Sequence, residues 1–156
     1  MKYIFGYGSI MNRTSLARTL PGKRVIQSAT LFGYQRKVNA PVNGYLYMNL
    51  VKNEEMSVDG ALVPVTDTEL GLMKPREPGY KMMDVSEQIN IPIDAPVITF
   101  MAPDKKYPEM QIPRSYLETC MRDMPTSKRD NWLAETIIEN EILEDLEYPV
   151  YVNVAL

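Results

Sequence analysis

Short runs of β-branched, aromatic and other apolar residues, cut by turn signals, recur along this chain and set the class of fold it can adopt. They fall at 3–5, 25–39, 45–51, 58–65, 80–89, 97–101 and 150–154. In Tyr45-Leu46-Tyr47-Met48-Asn49-Leu50 the two faces differ, as burial with a period of two requires. Asn43-Gly44 between two runs is a hairpin signal. Helices are fewer. Asn12 is placed to cap a short one through Leu20, stopped by Pro21-Gly22. Thr66-Asp67-Thr68-Glu69 reads as a capping box for a helix over Leu70 and Met73 that ends before Pro75. Pro113 suits the first position of a helix with Tyr116, Leu117, Cys120, Met121 and Met124 on one face. Ser127 opens a last helix with Trp132, Leu133, Thr136 and Ile137 inward and Leu143 a further candidate. The pattern predicts an α+β fold: a curved antiparallel or mixed, barrel-like sheet flanked by a few helices, rather than a doubly wound parallel sheet. With 156 residues, scattered prolines and no repeat, residues 1–156 are expected to form a single domain.

The chemistry is bounded by what is missing. There is no histidine, which removes Ser-His-Asp and Cys-His pairs and imidazole metal ligands. Acid/base work must then rest on Glu, Asp, Lys, Tyr or the backbone. One cysteine, Cys120, rules out an intramolecular disulfide and, with no histidine, argues against structural zinc; no metal or cofactor is expected. A formal net charge of −3 without a basic cluster argues against nucleic-acid and membrane partners. The opening apolar stretch is too short for a signal peptide or membrane helix, and the expected location is cytoplasmic.

Two stretches carry candidate chemistry. Phe5-Gly6-Tyr7-Gly8-Ser9-Ile10 is a strand running into a glycine-rich turn. Such a turn is either a tight structural bend or a cradle of N–H groups for a carboxylate or oxyanion. It lacks the Gly-Lys-Ser/Thr of a Walker loop and the third glycine of a dinucleotide fingerprint. Arg76-Glu77-Pro78-Gly79-Tyr80 holds one carboxylate between two prolines, Pro75 and Pro78. The residues alone leave open a solvated turn or a rigidly held acid/base.

Taken together these stretches resemble the γ-glutamylcyclotransferase-like family, with its ChaC and AIG2-like branches. Phe5-Gly6-Tyr7-Gly8-Ser9-Ile10 is similar to the family's Tyr-Gly-Ser signature, and Leu31-Phe32-Gly33-Tyr34-Gln35-Arg36 to its following strand. Val58-Asp59-Gly60-Ala61-Leu62-Val63-Pro64-Val65 resembles a further strand, and the segment from Leu72 to Tyr80 the one carrying the catalytic glutamate. Pro113-Arg114-Ser115-Tyr116-Leu117 resembles the late helix. The sequence departs from many members at Met73, Lys74 and Ile10 and in the short spacing from Glu77 to Tyr80, so the resemblance does not fix the leaving group.

The resemblance implies release of 5-oxoproline from a small-molecule γ-glutamyl amine or peptide, with Glu77 as catalytic proton shuttle. The amides of Tyr7, Gly8, Ser9 and Ile10 would bind the substrate, and Tyr80 would pack on its glutamyl chain. Burial is expected to raise the Glu77 pKa, with Arg76 pointing away. Arg36 is expected to pair on the surface, Cys120 to be core, and the acidic run from Glu139 to Asp145 to be a solvated helix face. The rivals are a non-catalytic module binding a γ-glutamyl-like or other carboxylate ligand, and a biosynthetic enzyme that removes a γ-glutamyl group.

Overall fold

A computed structural model of the chain describes residues 1–11, 13–122 and 124–144. The expected cap at Asn12, the strand at 150–154, the end of the acidic run at Asp145 and the direction of the Arg76 side chain lie outside what is described. Strand β1 (Lys2–Gly6) leads into a 3-10 turn (Ser9–Met11) and a short helix α1 (Arg13–Ala17). Strands β2 (Gln27–Val42) and β3 (Tyr45–Val65) form a long hairpin. Helix α2 (Asp67–Met73) passes into a 3-10 turn (Lys74–Arg76) and strand β4 (Lys81–Asp84). A 3-10 turn (Ser86–Gln88) precedes β5 (Val97–Met101). The chain continues through β6 (Ile112–Pro113), α3 (Arg114–Met121), α4 (Thr126–Ala134), β7 (Thr136–Ile137) and β8 (Ile142–Leu143).

The fold is α+β. Its main sheet runs β4-β5-β1-β3-β2-β7, and β6 pairs with β8 separately. The sheet is mixed: β1 lies parallel to β5 and β2 parallel to β7, while the other pairs are antiparallel. It is open rather than closed into a barrel, because β4 and β7 stand at opposite ends of that order among the described residues.

The hairpin follows from its turn and its bulge. Asn43 (φ 49°) and Gly44 (φ 87°) both occupy the left-handed region, as a two-residue type I′ turn demands. The runs at 45–51 and 58–65, expected as separate strands, are one strand here. Residues 53–56 of β3 stand opposite Gly33 alone, since Phe32 faces Ser57 and Tyr34 faces Lys52. Gly33 (φ 84°) absorbs the mismatch. Across it the alternation changes phase: Ala29 and Leu31 are buried before it, Tyr34, Arg36 and Val38 after it, and Phe32 is left 52% exposed. Arg36 is therefore in the interior and not on the surface as the sequence suggested.

Other expectations are corrected locally. The run at 80–89 gives only the four exposed residues of β4, because the Asp84 carboxylate accepts from the Ser86 N–H (2.9 Å) and hydroxyl (2.6 Å) and turns the chain. Helix α4 begins at Thr126 and ends before Thr136; Trp132 is buried, but Leu133 is 40% exposed. Residues 139–141 are irregular and lead into β8 instead of a helix, and Glu139 pairs with Lys37 at 3.3 Å.

Two apolar clusters sandwich the central strands. One joins Phe5, Leu31, Val38, Met48, Leu50 and Leu62 to Tyr116, Leu117 and Cys120 of α3 and Trp132 of α4. The other joins Ile4, Val63 and Val65 to Leu16, Leu20, Leu70 and Met73 under α1 and α2. Ile4 and Phe5 thus face opposite clusters, and β1 is covered on both sides.

The expected capping box is present. Thr66 caps α2 by accepting from the Glu69 N–H (3.2 Å), and the Glu69 carboxylate accepts from the Thr66 N–H (3.0 Å). The same carboxylate pairs with Arg24, which together with the Thr66 backbone holds its pKa down to about 2. Thr66→Ala should cost about 1 kcal/mol in urea unfolding. Because the folded pKa is depressed, the Glu69 contribution is fully present above its ordinary value of 4.5 and is lost as pH falls toward about 2. Glu69→Gln should flatten the pH dependence of stability in that window.

Candidate active site

Where β1 ends, the chain leaves the sheet as Tyr7-Gly8 and tightens into the 3-10 turn, with the Met11 N–H donating to the Gly8 carbonyl at 3.1 Å. The bend has no space for larger residues. A Cβ at Gly8 would sit 2.9 Å from the Tyr116 hydroxyl and 3.2 Å from the Met48 Cβ, and one at Gly6 would sit 2.7 Å from the Ile10 Cγ2. A Cβ at Gly60, on the neighbouring strand, would lie 2.4 Å from the Gly6 carbonyl oxygen. Close approach, by side chains at Gly6 and Gly8 and by backbone at Gly60, and not freedom of φ, is what these three glycines allow.

Glu77 arrives from the other side. Its N–H donates to the Lys74 carbonyl (3.1 Å), and its own carbonyl accepts from the Tyr80 N–H (3.2 Å). Pro78 and Gly79 (φ 80°) occupy the two central positions of that turn, the residue pair and handedness of a type II turn. Two prolines and a closed turn hold the Glu77 backbone, and the side chain is buried at 7% exposure.

Glu77 and the bend share one pocket. Tyr7, Gly8, Ser9, Ile10, Glu77 and Tyr80 all line it. All six residues singled out in the sequence therefore meet in space. Phe5, Met48, Phe100 and Tyr116 complete the wall. The sequence placed Phe5 in the strand before the bend, Met48 and Phe100 in strand runs and Tyr116 on one face of a helix, and assigned none of the four to the site. Tyr7, Ser9 and Ile10 are buried, and Tyr80 is half-buried. The pocket's volume is about 20 Å³, space for about one water molecule.

The tyrosines set the polarity of the pocket. The Tyr7 hydroxyl donates to the Phe100 carbonyl. Burial, and then the nearby Glu77 carboxylate, push its pKa well above the ordinary value, so Tyr7 stays neutral. The Tyr80 hydroxyl donates to the Met48 carbonyl (2.5 Å), and the Met48 N–H donates to the Tyr116 hydroxyl (3.2 Å). Tyr116 is held in turn edge-to-face on Tyr47, with centroids 4.8 Å apart. Among the described residues no group of carboxylates and thiol is arranged to hold a metal ion, and no helix is long and apolar enough to cross a membrane.

The sequence matches no family model and no curated protein. Its fold is similar to solved structures. The crystal structure of YkqA from Bacillus subtilis superposes with a TM-score of 0.68 over 85% of this chain at 17% identity. This chain spans 52% of YkqA, about half its length. The solution structure of At5g39720.1 from Arabidopsis thaliana is 30% identical, with a TM-score of 0.54 over 70% of this chain and 73% of that one. A gamma-glutamyl cyclotransferase matches over 98% of this chain and 96% of its own length, with a TM-score of 0.70 at 12% identity.

Gly8→Ala should push Tyr116 and Met48 apart and destabilise the chain by roughly 1–3 kcal/mol, the usual cost of overpacking. Thermal unfolding beside Gly71→Ala, a glycine with open space around it, provides the comparison.

Proposed function

Because the fold is similar to that of a gamma-glutamyl cyclotransferase and the motifs resemble that family, we propose that the chain releases 5-oxoproline from a γ-glutamyl amine or peptide, with Glu77 as the proton carrier. The observation that most supports this reading is the burial of Glu77 in the same pocket as the Tyr7-Gly8-Ser9-Ile10 bend.

The reaction needs no enzymic nucleophile, which suits a chain without histidine. The substrate's own α-amine attacks its γ-carbonyl carbon, a five-membered lactam closes, and the bond from that carbon to the leaving nitrogen breaks. Positioning supplies much of the acceleration, since well-oriented intramolecular attack reaches effective molarities of roughly 10⁵–10⁸ M. The Glu77 carboxylate removes a proton from the α-ammonium and returns it to the departing nitrogen; the second proton, lost from the ring nitrogen as the lactam forms, leaves to solvent or on the released amine as its ammonium, so the enzyme ends as it began. The bend at Tyr7–Ile10 binds the α-carboxylate or the developing oxyanion. Tyr7, neutral and donating to Phe100, shapes the wall and is not a base.

A pocket of about 20 Å³ must widen to admit a glutamyl chain. Tyr80 is the side chain to move: it is half-buried and follows Gly79, with its hydroxyl on the Met48 carbonyl. The second reading, a module that binds a γ-glutamyl-like carboxylate without turnover, uses the same pocket.

A panel of γ-glutamyl amino acids, γ-glutamyl amines and glutathione, assayed for 5-oxoproline, separates the two. Wild type should turn over at least one member. Glu77→Gln should lower kcat by about 10²–10⁴-fold, the range for loss of a general acid/base, while still binding the substrate. Full activity in Glu77→Gln would refute the shuttle, and binding without turnover by wild type across the panel would favour the module.

A further inference from the structure

A second, larger cavity lies between the β2–β3 hairpin and helices α3 and α4, and Glu77 lines no part of it. Its volume is about 520 Å³, within the ~300–1,000 Å³ typical of small-molecule sites. Arg36 and Trp132 line it and are deeply buried, at 2% and 4% exposure. The guanidinium stacks over the indole, 5.2 Å from the ring centroid. Its Nε donates to Thr136 Oγ1 (3.0 Å) and its Nη1 to the Asp59 carbonyl (3.1 Å). Its Nη2 has the Glu135 carboxylate at 3.7 Å, beyond hydrogen-bonding reach, and that carboxylate belongs to a half-exposed side chain. A buried cation is thus compensated only in part. Around it the wall is apolar and adaptable, with Met11, Ile26 and Met124. Lys128 and Glu135 stand at the exposed end.

We propose that this cavity is a binding site for a small amphiphilic monocarboxylate. The carboxylate pairs with Arg36 Nη2 and displaces Glu135 toward solvent, while the apolar body lies against the two methionines and Ile26. A buried guanidinium favours a carboxylate because the hydrogen bond from Nη2 would be charge-assisted. A phosphate dianion suits the site less well, because the Asp59 and Glu135 carboxylates also line the cavity. The two cavities lie in different places on the molecule, so this site does not depend on what Glu77 does.

Trp132 is the chain's one tryptophan and reports on this wall directly. Its emission in the full chain is titrated with hexanoate, hexan-1-ol and hexylammonium. Hexanoate should give a saturable change and bind at least about tenfold more tightly than either control, as a charge-assisted pair requires. Glu135→Gln, at an exposed position, should tighten hexanoate by about threefold or more because a competing anion is gone. Arg36→Gln, checked for folding by circular dichroism, should abolish the preference for hexanoate over hexan-1-ol. Equal binding of hexan-1-ol or hexylammonium, no saturable change, or unchanged or weaker binding in Glu135→Gln would overturn the proposal. The Glu135 variant decides the matter if Arg36→Gln does not fold.

Discussion

The peptide groups of Met48 tie three distant parts of the chain together. Within β3, strand β1 pairs with Ala61–Val65 alone, so among the described residues the edge of β3 at Met48 has no strand neighbour. Buried amides cannot go unpaired without a cost of about 1–3 kcal/mol each. Two tyrosines supply what a strand would have: Tyr116 from α3 accepts from the N–H, and Tyr80, just past Glu77, donates to the carbonyl. Asn49 beside it makes the same kind of substitution, its side-chain amide exchanging two hydrogen bonds with the Ala102 peptide at 2.9 and 3.0 Å. A gap in the sheet is closed by side chains, and the small pocket beside Glu77 lies against that closure.

This arrangement separates what the sequence made readable from what it did not. Local rules held where the partner is a few residues away. The Asn43-Gly44 turn, the Thr66 capping box, the glycine bend after β1 and the extent of β5 depend on spacing and turn chemistry that the chain carries in place. The meeting of Glu77 with Tyr7–Ile10 was legible only because the ordered set of motifs resembled one family; no local rule brings residues 7 and 77 together. Met48 and Phe100 were legible as strand residues, Tyr116 as part of one helix face, and no more, since which apolar residues line a pocket depends on contacts across the whole fold.

The errors have definite physical sources. Arg36 was expected to pair on the surface, but the bulge at Gly33 shifts the phase for the rest of β2 and carries that side chain inward. The run at 80–89 looked like one strand because its composition is β-prone, but the Asp84 carboxylate captures Ser86 and bends the backbone. Leu133 was assigned inward by helical period, yet α4 ends at Ala134 and Trp132 alone among its residues is buried.

Position 60 has a use beyond this one molecule. With 2.4 Å between an imagined methyl and the Gly6 oxygen, no alanine or larger residue can stand there unless the first strand is pushed sideways and the bend after it is carried along. That makes the site a sieve for sequence searches. Among chains that share this sheet, those with a glycine at the equivalent place can seat their first bend as this one does, and those without it must build a differently shaped hollow.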